Sequence, residues 1–109
     1  METAIIAEPY LLSYSPRIIE VKDRQYILNY PLHCSLEKEK DYFVIKNEFL
    51  DLIGTGESRD EAKCNFDEEF DCLYQKLNSL TNDKITRRLN LVKSLMNQFV
   101  KETIEANGH

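Results

Sequence analysis

From Arg17 onward the hydrophobic residues of this chain come first in short alternating runs. Arg17-Ile-Ile-Glu-Val-Lys22 and Gln25-Tyr-Ile-Leu-Asn-Tyr30 are rich in β-branched and aromatic residues, and the polar pair Asp23-Arg24 separates them. This is the pattern of a β-hairpin. Tyr26, Leu28 and Tyr30 share one face of the second run, and Pro31 limits its continuation as a central strand. Glu37-Lys-Glu-Lys-Asp41 reads as a solvated loop. Tyr42-Phe-Val-Ile-Lys46 and Leu50-Asp-Leu-Ile53 then repeat the strand pattern across the polar Asn47-Glu48 break. Strands in succession with short links predict an antiparallel meander. Residues 1–16 hold Pro9, Pro16 and the apolar run Tyr10-Leu11-Leu12, and read as an irregular arm able to add an edge strand.

The period then changes. Ala62, Phe66, Phe70, Leu73, Leu77 and Leu80 recur at helical spacing, which predicts a helix over Ser58–Leu80 covering the sheet. Asp60, Glu61, Glu68, Asp71 and Gln75 fall on the opposite, solvated side, with Cys64 among them. Three N-cap residues in a row, Thr81-Asn82-Asp83, mark a break. A second helix is expected over Lys84–Ala106, with Asn107-Gly108 as its stop. Ile85, Leu89, Val92, Met96, Phe99 and Thr103 form its stripe, Leu91 and Leu95 widen it on one side, and Val100 and Ile104 on the other. A helix covering one neighbour needs roughly a 100° stripe. This arc is wider, so Leu91, Leu95, Val100 and Ile104 become the candidate surface for a homodimer or another partner.

Between sheet and helix lies Leu50-Asp-Leu-Ile-Gly-Thr-Gly-Glu-Ser-Arg-Asp-Glu-Ala62. Ser58 and Glu61 have capping-box spacing: the hydroxyl accepts from the Glu61 amide, and the carboxylate reaches back to the Ser58 amide. Gly54 and Gly56 are two of only three glycines in the chain, and are expected to supply positive φ at a sharp turn. A phosphate loop is excluded on two grounds. The Walker ending and the third glycine of a dinucleotide fingerprint are both missing, and Glu57, Asp60 and Glu61 would repel an anion.

At 109 residues the chain is one domain's worth. It reads as an α+β domain: arm 1–16, sheet 17–57, covering helix 58–80 and C-terminal helix 84–106. With 42% hydrophobic and 30% charged residues, wholesale disorder is excluded. No apolar run approaches the roughly 20 residues of a membrane span. The N-terminus carries no basic segment followed by an apolar one, so no signal peptide is expected and a cytoplasmic location is. Cys34, Cys64 and Cys72 are odd in number with no Cys-x-x-Cys pair, and the only histidines are His33 and His109. That argues against a disulfide framework and a zinc site. It also leaves no nucleophile–base set, since neighbours such as His33 and Cys34 point to opposite faces of a strand. No catalytic residue, cofactor or metal is expected. A net charge of −5 disfavours nonspecific nucleic-acid binding and suits a basic protein partner.

One stretch carries a resemblance. The order of strand, Gly56-Glu-Ser-Arg-Asp-Glu-Ala62 and amphipathic helix resembles the HicB-like antitoxin family, in which a small antiparallel sheet leads through Gly-x-Ser/Thr-x-x-Glu-Ala into a helix lying across it. Gly56, Ser58, Glu61 and Ala62 match, and the likeness covers Tyr42 to Leu80. The chain departs from the family in three ways. Asn47-Glu-Phe-Leu-Asp51 replaces a Pro-Gly segment, a hairpin is added before, and no DNA-binding module is evident after. The resemblance implies a non-catalytic binding module of toxin–antitoxin type that masks a small basic RNA-cleaving toxin. The acidic charge suits such a partner, and either an exposed sheet edge or the outer helix face, with Asp60, Glu68 and Asp71 as its acidic residues, is the expected contact. The residue pattern alone admits two other classes: a structural protein that dimerises within a larger assembly, and a DNA-binding regulator using the basic side of the second helix. Phe43, Ile45, Leu50, Leu52, Phe66, Phe70, Leu73 and Leu77 are the expected core.

Overall fold

The two hairpins do not share a sheet. A computed structural model describes residues 13–105, and they form two antiparallel sheets with two helices, an α+β fold. The strands are β1 (Ser13–Tyr14), β2 (Ile18–Glu20), β3 (Arg24–Leu28), β4 (Cys34–Lys38), β5 (Phe43–Asn47) and β6 (Leu52–Gly56). Helix α1 (Arg59–Ser79), a 3₁₀ turn (Asn82–Lys84), α2 (Arg87–Phe99) and β7 (Val100–Glu105) follow. One sheet has the order β1-β4-β5-β6 and the other β2-β3-β7. The expected single meander is therefore corrected to two sheets. Pro9, the run Tyr10-Leu11-Leu12, and the tail with Asn107, Gly108 and His109 lie outside the described residues.

Three further corrections concern the elements themselves. Cys34–Lys38 is a strand that pairs with both β1 and β5, and Glu37 and Lys38 belong to it rather than to a loop. Its Cys34 and Leu36 point inward and are buried, a period-2 signal masked by the charges that follow. Second, the helix expected over 84–106 ends at Phe99, and Val100–Glu105 is a strand against β3, with Tyr26 opposite Thr103. Val100, Thr103 and Ile104 are β-branched and suit a ladder, which β3 offers on its open side. Third, the turn before β6 takes up Glu48–Asp51, so Leu50 is a turn residue, yet it is buried at 1% exposure.

Helix α1 packs on β5 and β6 of one sheet, on β2 of the other, and on α2. Ile19, Tyr26, Leu36, Ile45, Leu52, Phe66, Phe70, Leu77, Val92 and Met96 meet in one cluster around it, with Phe43 and Leu73 half-buried at its margin. Backbone bonds from Leu28 N–H to Arg17 O (2.8 Å) and from Leu32 N–H to Pro16 O (2.9 Å) tie the connections together. The opposite face of the four-stranded sheet is not covered by α1. It carries half-exposed Ile53 and, at the β5–β6 tip, Phe49 at 81% exposure.

Candidate functional site

Gly54 and Gly56 lie in β6, and neither has positive φ. Their role is close approach, not turning. A Cβ on Gly54 would lie 2.5 Å from Phe66 Cα, and one on Gly56 would lie 2.5 Å from the Ala62 nitrogen. Only a residue without a side chain lets α1 rest this deeply on the strand. The positive φ falls instead on Asp51, at 58°, an Asp being one of the few residues that tolerate it. Asn47, buried at 3%, organises that turn: its Oδ1 accepts from the Leu50 amide (2.9 Å), and its Nδ2 donates to His33 O (3.0 Å).

Helix α1 begins as the capping motif predicts, with one shift. Ser58 is the N-cap in extended conformation, and its Oγ accepts from the Glu61 amide at 3.1 Å. The Glu61 carboxylate accepts from the Glu57 amide (2.5 Å), not from that of Ser58. Ala62 is fully buried beneath Gly56. The motif is an architectural joint.

The acidic face divides in two. Asp60, Glu61, Glu68 and Glu69 are exposed along the outside of α1, together with Cys64 and Cys72. Asp71 is not part of that face. Its Oδ1 accepts from Arg24 Nη1 (2.7 Å) and from the Tyr26 hydroxyl, and its side chain is only 19% exposed. Gln75 Nε2 donates to the same Tyr26 oxygen (2.8 Å). Burial, reinforced by Asp71, pushes the Tyr26 hydroxyl up to about 12. This network fastens β3 to α1.

A second carboxylate lies deeper. Asp67 is 7% exposed. Its Oδ1 accepts from the Tyr14 hydroxyl (2.9 Å) and its Oδ2 from the Glu20 amide (3.1 Å), so it joins β1 and β2 to α1. Burial raises its pKa to about 6, against the lowering effect of those two bonds. Burial also pushes the Tyr14 hydroxyl upward. A surface groove of about 430 Å³ runs along this seam between Tyr14, Lys63, Cys64 and Asp67. Neither clamp was legible in the sequence: a buried Asp and an exposed one look alike until the strands that meet them are placed.

Remaining candidates scatter. Leu91 is 62% exposed on α2, Leu95 and Val100 are half-buried against the core, and Ile104 is 43% exposed on β7. They do not form one arc on one helix. Of the basic residues, Arg87, Arg88 and Lys93 lie on α2 but Lys101 lies on β7. His33 is exposed, and its Nδ1 is 2.9 Å from Ser15 Oγ. Cys34 is buried, its thiol pushed up to about 12 by desolvation, and Cys64 and Cys72 are free and exposed. Among the described residues no group of three or more His, Cys, Asp or Glu is placed to hold a metal ion, and no helix is long and apolar enough to cross a membrane. Compared with known protein families, with curated proteins and with solved structures, the chain has no match.

Proposed function

We propose that this chain is a non-catalytic protein-binding module of HicB-like type, which holds a small basic RNA-cleaving partner against the outer face of α1. The observation that carries this reading is the run Asp60, Glu61, Glu68 and Glu69 on one exposed helix face. None of the four makes an ion pair with another described residue. A net charge of −5 adds long-range attraction for a cationic partner, and such fields raise association rates and disfavour acidic competitors. The face stands on a helix anchored to the strands by buried Asp67 and by the ion-paired Asp71, so its charges are presented from a fixed scaffold.

The test is co-production with a short basic protein encoded beside this chain. The two should co-elute at low salt and separate as salt rises. The Asp60→Lys/Glu68→Lys variant should weaken the complex about tenfold or more, as like charges replace opposite ones. No complex at low salt, or one indifferent to the double variant, would overturn the reading.

A further inference from the structure

Strand β7 has one neighbour, β3, and no strand among the described residues pairs with its other edge. Two hydrogen bonds beside the ladder fix which backbone groups face that edge. Leu28 N–H donates to Arg17 O (2.8 Å), and Asn29 N–H donates to Phe99 O (2.7 Å). Successive residues in an antiparallel strand turn their backbone groups to opposite sides. Tyr26 and Leu28 therefore face β2, while Gln25 and Ile27 face β7. Their partners Ile104 and Glu102 turn inward to β3. Thr103 and Glu105 turn their N–H and C=O groups to the free edge, and Lys101 precedes them at the register shift, where the strict alternation is interrupted. The side chains of Thr103 and Glu105 share one face, and Lys101 stands two residues before Thr103 as Glu105 stands two after it.

We infer that this edge is a homotypic docking strand, on which a second copy of the chain pairs antiparallel about a two-fold axis at Thr103. Along the edge the order is positive, neutral, negative, which is its own complement when reversed. With the axis at Thr103, Lys101 of each copy stands opposite Glu105 of the other. Thr103 meets Thr103, a favourable cross-strand pair, and both residues have backbone groups free to exchange bonds. Other registers are worse. An axis at Lys101 or Glu102 sets like charges against each other, and one at Ile104 leaves Lys101 with no acid opposite.

Local geometry supports the same pairing. The ladder register shifts between Ile27 and Leu28, which makes Lys101 the extra residue, so a long flexible ammonium stem stands where the strand is least regular. Glu105 lies 3.4 Å from Arg24 Nε yet is 57% exposed, and the second copy's Lys101 can approach its open side. Ile104, 43% exposed, gains a neighbour across the new ladder. The same charges discourage strands of any other sequence, as charged edges do. A single short strand contact is a small interface, at the weak end of specific association.

Sedimentation velocity over a concentration series, from low to hundreds of micromolar, tests the inference. The wild-type mass should rise toward twice the 12.8 kDa of one chain. Thr103→Pro removes an N–H that β3 does not use, so it should fold normally by circular dichroism and associate at least about tenfold more weakly. Lys101→Glu should weaken association by about the same factor, and Lys101→Glu/Glu105→Lys should recover most of it. Leu91→Glu, away from the strand, should leave it unchanged. A wild type monomeric throughout, a Thr103→Pro variant that still dimerises fully, or a charge-swapped double variant no better than the single one would each overturn the pairing.

Discussion

Gly54 sits where strand β6 and helix α1 approach too closely for a side chain, and its replacement has a definite consequence. A methyl group there meets the Phe66 backbone, not a movable side-chain tip. Gly54→Ala should therefore cost about 1–3 kcal/mol, the usual penalty for overpacking. A denaturation midpoint equal to the wild type's would contradict the close approach. Asp67 makes a different prediction because its folded pKa, about 6, lies above the ordinary 3.8. Between those values the folded state holds the proton more tightly than the unfolded state does. Its contribution to stability therefore falls as pH rises through that interval, and it stays low above it. Unfolding curves of wild type and Asp67→Asn across pH 3.8 to 6 isolate the effect from other carboxylates. The difference should move against the wild type with rising pH; a constant difference, or the opposite slope, would refute the burial cost.

At the scale of elements, α1 was the most legible part. Its apolar spacing and Ser58 cap placed both ends within a residue or two, because a long amphipathic period survives local ambiguity. The C-terminal segment shows the converse. Val100, Thr103 and Ile104 fit helical steps from Val92 and Met96, so periodicity ran on through Phe99 where the backbone turns to a strand. What decides the matter is a partner ladder on β3, distant in sequence and silent in any local window. Nuclear Overhauser contacts should link the Tyr26 and Thr103 backbones across the β3–β7 ladder. A helical pattern of contacts through 100–105, without cross-strand ones, would reject the assignment. The exposed acidic face at Asp60 and Glu68 was likewise readable from α1 alone. The inward turn of Asp71 toward Arg24 and Tyr26 was not, since it depends on where β3 lies.

For the whole molecule, the two sheets share one helix and one hydrophobic cluster. They should therefore unfold together rather than in sequence. Thermal melts followed by far-ultraviolet dichroism and by tyrosine fluorescence should coincide, since the tyrosine signal sums residues of both sheets, Tyr14 in one and Tyr26 in the other. Two separated transitions would mean that α1 does not couple them.

The way β7 closes the β2–β3 hairpin also sets an order of events at the ribosome. Asn29 and Gln98, joined by a hydrogen bond at that closure, are 69 positions apart. The hairpin, the other sheet and both helices are all synthesised before the strand that completes the smaller sheet. Until then the side of β3 that receives β7 is unpaired, and nascent chains with bare strand edges are prone to misassociation. Docking of β7 onto that open side, rather than early collapse, would then govern how much of this protein reaches its native state.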